Sequence, residues 1–129
     1  MANELILIVE DDDNSRKLLR DTLQVMGYQT LEAPTGEIGV ELAGSKRPAL
    51  ILMDIQLPGI SGFDALARLR GDPQTRSIPV IAVTASVMST QQNDVLRAGF
   101  DALESKPVSI GGLVRTMRIL LDASSSMRA

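Results

Sequence analysis

The stretch "ILMDIQLPGISG" (residues 51–62) decides the fold. It opens as an apolar run, puts a carboxylate at Asp54, and then breaks into Pro58, Gly59, Ser61 and Gly62. A short apolar run bounded by turn residues suits a strand covered on both faces, as in a parallel sheet. Such a strand has no use for a charge in its interior, so Asp54 belongs at its tip, where the chain turns.

Working outward, five runs of this kind recur: "LILIV" (5–9), "YQTLEA" (28–33), "ALILM" (49–53), "PVIAV" (79–83) and "DALES" (101–105). The first, third and fourth are nearly unbroken and predict central strands. The second and fifth are more polar and predict edges. Between them lie segments of helical period. Leu18, Leu19, Thr22, Leu23 and Met26 make one stripe, stopped by Gly27. Ile110, Leu113, Val114, Met117, Leu120 and Leu121 make the clearest one, with Ser109 as its N-cap. "SGFD" (61–64) reads as a capping-box start for a helix carrying Phe63, Leu66, Ala67 and Leu69. Residues 35–45 and 86–98 read as helices with weaker stripes, the first weakened by Gly36 and Gly39. Phe100 reads as core filler. Strand and helix alternating five times predict an α/β fold: a parallel sheet with right-handed crossovers and helices on both faces. One domain fills residues 1–122, and "ASSSMRA" (123–129) reads as a frayed polar tail.

Composition excludes several chemistries. The 129 residues contain no cysteine and no histidine. Disulfides, thiolate metal sites, the usual zinc ligand and every Ser-His or Cys-His nucleophile are therefore absent. A net charge of −3 argues against nucleic acid as a partner. No apolar stretch approaches the roughly 20 residues of a membrane span, and none has the flanks of a signal peptide. A cytoplasmic location and no membrane insertion are expected.

In open parallel sheets, ligands bind at the carboxyl ends of the strands. The first strand ends in Glu10, Asp11, Asp12 and Asp13, the third in Asp54 and the fourth in Thr84; Lys106-Pro107 follows the fifth. Each residue alone has an ordinary reading. Asp12, Asp13 and Asn14 suit a helix cap, Thr84 a strand, Lys106 a surface. Jointly they fall on one edge of the sheet. Two carboxylates about 5 Å apart repel by ~3 kcal/mol at an effective dielectric of 20. Either one is protonated, or a hard divalent cation joins them; oxygen donors alone point to Mg²⁺.

These residues resemble the response-regulator receiver domains of bacterial two-component signalling. The resemblance is carried by "ILIVEDD", "ILMDIQLPGISG", "VTA" (83–85) and "SKP" (105–107), and covers residue 4 to about 121. It implies a flavodoxin-like, doubly wound (βα)5 sheet of strand order 2-1-3-4-5. It implies that Asp54 is the phosphoacceptor and that Asp11, Glu10 and the backbone carbonyl of Gln56 share Mg²⁺ with it. Thr84 and Lys106 would meet phosphoryl oxygens, the Lys106-Pro107 bond being a candidate cis peptide. Gln56 and Ser86 would tune the lifetime of the phosphoryl group. Thr84 and Leu103 would form the switch, although many receivers carry an aromatic residue at the position of Leu103. The implied partners are a histidine kinase or histidine phosphotransfer domain, docking on Arg16, Leu19, Pro107 and Val108, and downstream proteins reading a changed helix 4/strand 5/helix 5 face. The state implied is a monomer or a phosphorylation-dependent dimer. The implied activity is self-phosphotransfer and slow autodephosphorylation, not turnover of a substrate. Two rivals stand beside it. A phosphorylation-independent pseudo-receiver would bind proteins only. A haloacid-type phosphohydrolase would need a second aspartate two residues past Asp54, where Gln56 stands. A P-loop reading of "GVELAGSK" (39–46) fails for want of an adjacent Gly-Lys-Ser/Thr.

Overall fold

The computed structural model describes residues 3–85, 89–106 and 108–128, with side chains left undescribed at 89–92 and 124–128. Five strands, β1 (Leu5–Val9), β2 (Gln29–Ala33), β3 (Leu50–Asp54), β4 (Val80–Thr84) and β5 (Ala102–Ser105), alternate with five helices. The helices are α1 (Asp13–Val25), α2 (Gly36–Lys46), α3 (Gly62–Gly71), α4 (Ser89–Ala98) and α5 (Ile110–Arg128). The sheet is parallel throughout and ordered β2-β1-β3-β4-β5, as expected.

Strand alternation divides the core in two. Leu7, Val9, Ile51, Met53 and Ala82 face one way, against Ala43, Leu66, Leu69 and Val95 of the helices α2, α3 and α4. Ile6, Ile8, Leu52, Ile81 and Val83 face the other, against Leu19 and Leu23 of α1 and Leu113, Met117 and Leu121 of α5. Both faces are covered, which explains the unbroken apolar runs. Phe100 is core, 5.7 Å from Phe63 in an edge-to-face pair.

Three local readings change. In the α1 stripe, Leu19 and Leu23 are buried, but Leu18 is 63% and Met26 43% exposed. Successive helical residues are turned by about 100°, so a Leu-Leu pair cannot point both members inward. The segment read as a frayed tail continues α5 as far as Arg128. No Gly or Pro follows Leu121 to stop it, and Ala, Met and Arg favour helix. The glycines of α2 prove useful: a Cβ on Gly39 would lie 2.8 Å from Val9 Cγ2, so the helix sits close on β1 because it lacks one.

Gly62 has the tightest such requirement. A Cβ there would lie 2.5 Å from the Asp54 carbonyl oxygen and 2.7 Å from Ile55 Cα, both backbone atoms. Its N–H donates to the Ile55 carbonyl at 2.9 Å, folding the loop back on the end of β3. Gly62→Ala is expected to destabilise the protein by about 1–3 kcal/mol through overpacking; thermal unfolding against wild type checks this.

Candidate functional site

Register builds the site. Val9 pairs with Met53, so the next residues, Glu10 and Asp54, emerge side by side on the edge of the sheet. Asp54 pairs with Val83 and Thr84 with Ser105, so Thr84 and Lys106 follow across the same edge. The amide of Lys106 donates to the Thr84 carbonyl at 2.8 Å, extending the ladder to the lysine. Glu10, Asp54 and Thr84 are all buried.

The side chains converge. Lys106 Nζ donates to Asp54 Oδ2 at 3.1 Å and also to Glu10 Oε1. Asp54 Oδ1 accepts from the Gln56 amide at 2.9 Å, and Glu10 Oε2 from the Asp12 amide at 3.1 Å. One oxygen each from Glu10, Asp11 and Asp54 lies within 4.8 Å of the others. Two of these carboxylates, Glu10 and Asp54, thus share one ammonium, with the third, Asp11, close by. The donor set is all oxygen, and Asp11 is exposed, leaving an open side. These features fit a small, hard divalent cation that keeps waters and admits a phosphate.

Protonation carries the strain of this arrangement. Burial, reinforced by the Asp54 carboxylate, pushes Glu10 up from 4.5 to about 6, against the pull of Lys106 and the Asp12 amide. Burial alone would lower the Lys106 ammonium; its hydrogen bonds to Glu10 and Asp54 outweigh that and raise it. The folded protein therefore holds the Glu10 proton more tightly than the unfolded chain does. The resulting stabilisation is complete below pH about 4.5 and is lost as pH rises through about 6. Metal-free melting temperatures across that window are expected to fall in wild type, and Glu10→Gln is expected to flatten that part of the profile.

The neighbouring acids take the structural roles open to them. Asp12 is the N-cap of α1, accepting from the Ser15 amide at 2.8 Å, and Asp13 pairs with Arg16 at 2.6 Å. Ser61 caps α3 by accepting from the Asp64 amide at 3.2 Å. Leu103 packs against the core on the α4 side of the sheet, half-buried. Ser86 and Pro107, and with Pro107 the isomer of its peptide bond, lie outside the described residues.

Beside Lys106, a groove of about 430 Å³ opens between α1 and the start of α5. Of the expected docking residues, Leu19 and Val108 line it. Leu18 and Ile110 line it as well, a role their place in apolar stripes concealed. Arg16 is not among the lining residues; its guanidinium is hydrogen-bonded within the protein, to the Glu10 carbonyl, Asp13 and Glu32. That role had no signal in the spacing.

The chain is similar to known proteins along most of its length. The response regulator receiver domain family matches residues 6–118. The polar-differentiation response regulator DivK of Brucella anthropi is 40% identical over 116 residues, 90% of this chain and 94% of that protein. A response regulator from Chloroflexus aurantiacus superimposes with a TM-score of 0.88 at 28% identity, over 93% of this chain and 98% of that one. The receiver domain of the sensor histidine kinase PA1611 from Pseudomonas aeruginosa, with a magnesium ion coordinated in its active-site cleft, gives 0.87 at 29%, covering 94% and 99%. The chain belongs to the response regulator receiver domains, the phosphoacceptor modules of two-component signalling. No helix among the described residues is long and apolar enough to cross a membrane.

Proposed function

We propose that this receiver accepts a phosphoryl group on Asp54 from a phosphohistidine and passes the change to partner proteins. The observation that carries this is the buried Asp54 carboxylate, with Lys106 Nζ at 3.1 Å and oxygens of Glu10 and Asp11 within 4.8 Å. A carboxylate oxygen of Asp54 attacks phosphorus, an O–P bond forms, and the P–N bond to the donor imidazole breaks. Asp54 is used ionised, so no histidine base is needed. Lys106 stays beside the acceptor and balances the added charge. The Thr84 hydroxyl, at the adjacent strand end, binds a phosphoryl oxygen. Glu10, Asp11 and the Gln56 carbonyl would hold Mg²⁺ together with Asp54. When bound, the ion offsets charge on the transferring oxygens. Water later attacks the acyl phosphate, and Gln56, two residues past Asp54, and Ser86, two past Thr84 in the sequence, would tune the lifetime.

Phosphorylation adds about −1.5 to −2 charge at pH 7. Drawing Thr84 toward it would shift the start of α4 and, with Leu103, the face shared by α4, β5 and α5. Leu96 and Ile119, 52% and 63% exposed, present apolar contacts on those helices for a downstream protein or a second copy. The donor domain docks in the groove of Leu18, Leu19, Val108 and Ile110, which opens directly on Lys106. Leu18→Asp is expected to slow transfer from a phosphohistidine protein on the order of tenfold or more. Labelling by a small phosphodonor should stay unchanged, and comparing the two donors checks the groove.

The function is tested by incubating the protein with a small phosphodonor and Mg²⁺ and weighing it intact. A gain of one phosphoryl group, removed by hydroxylamine and prevented by a chelator, is expected. No gain supports a pseudo-receiver; continuous turnover at enzymatic rates supports a phosphohydrolase.

A further inference from the structure

We infer that Arg16 is a positioning residue for the magnesium site, acting through the main chain of Glu10. The inference rests on reading Glu10, Asp11 and Asp54 as that site. Glu10 lies where β1 ends and the chain turns into α1. Its N–H donates to the Ala33 carbonyl of β2 at 3.0 Å, and its own carbonyl accepts from Arg16 Nη1 at 2.9 Å. The other guanidinium nitrogens reach Asp13 Oδ1 at 2.6 Å and Glu32 Oε1 at 3.3 Å. Arg20 Nη1 holds the same Glu32 carboxylate at 3.2 Å, fixing it from the next turn of α1.

One side chain thus ties three places: the edge strand β2, the first turn of α1 and the peptide carrying Glu10. Arg16 is 17% exposed, far less than an arginine on a free surface. Asp11 hangs between Glu10, pinned by Arg16 and β2, and Asp12, pinned as the α1 cap. The exposed Asp11 carboxylate takes its direction from these two flanks. A planar fork with fixed donors can serve all three acceptors together; a lysine ammonium cannot. Partners behind a metal's direct ligands commonly set its affinity in this way.

A purely electrostatic role has the opposite sign. A cation near an acidic site repels a divalent ion, so its removal would tighten binding. Loss of positioning loosens it. The test is calorimetric titration of Mg²⁺ into the intact protein, for wild type, Arg16→Lys and Arg16→Gln, with metal-free melting curves alongside. Both variants are expected to bind about tenfold more weakly, and Arg16→Lys to keep a cooperative transition. Unchanged affinity in Arg16→Lys, or tighter binding in Arg16→Gln, overturns the inference. If Arg16→Gln fails to fold, Arg16→Lys alone decides, since it keeps the charge and removes the fork. Absence of magnesium binding in wild type overturns the reading of the site itself, and this inference with it.

Discussion

Asp54→Asn is expected to abolish phosphoryl uptake from every donor, protein or small molecule, while the fold survives. The substitution is nearly isosteric. The asparagine oxygen can still accept the Gln56 amide that now meets Oδ1 at 2.9 Å, so the loop after β3 keeps its anchor. Lys106 keeps its second acceptor in Glu10. What disappears is the nucleophile, because an amide oxygen does not form a stable acyl phosphate under these conditions. No neighbour replaces it. Both oxygens of Glu10 are engaged, by Lys106 and by the Asp12 amide. Asp11 is exposed to water and is read as a ligand of the metal. Complete loss of the hydroxylamine-labile phosphoprotein, at a melting temperature within a few degrees of wild type, is the result to look for by intact mass and thermal unfolding.

Lys106→Met should give the largest loss of stability. The methionine keeps the apolar stem and removes only the ammonium. Glu10 and Asp54, 3% and 8% exposed in their side chains, are then left with no cation between them. Removing one partner of a buried ionic cluster costs about 3 kcal/mol or more, because the remaining charges stay desolvated. That corresponds to a fall in melting temperature on the order of 10 °C. The penalty depends on pH in a definite direction. Glu10 already stands at about 6, and losing Lys106 removes a partner that favours its ionised form. Below that pH the carboxyl is neutral and the variant approaches wild type; toward neutrality the gap opens. Magnesium, by supplying charge to the same oxygens, should close part of it. Melting curves over pH, with and without the ion, read all three effects.

The residues that built the sheet were legible because a doubly covered parallel strand leaves a plain trace. "LILIV", "ALILM" and "PVIAV" match β1, β3 and β4 to within a residue. The convergence of Glu10, Asp11, Asp54 and Lys106 was legible for a related reason: parallel strands bring all their ends to one edge, so position along each strand predicts position in the site. Where physics depends on three-dimensional approach, the sequence was silent. Gly36 and Gly39 looked like weaknesses in a helix and are instead points of close contact with Ile60 and Val9. Leu18 looked like core and lines a groove. Arg16 looked like a surface charge for a partner, and its three acceptors come from the strand end before α1, the first residue of α1 and β2, a set no spacing brings together. Of Asp12, Asp13 and Asn14, chain order alone could not say which one caps α1; Asp12 does.

The central claim is that the phosphoryl group forms its bond with Asp54 and with no other of these crowded acids. Labelling the protein with a phosphodonor and Mg²⁺, reducing the acyl phosphate with borohydride, and mapping the peptides tests it directly. Reduction turns a phosphorylated aspartate into homoserine at its own position. Homoserine at position 54 alone is the predicted result; homoserine at 11, 12 or 13, or none anywhere in a protein that has gained mass, would contradict it.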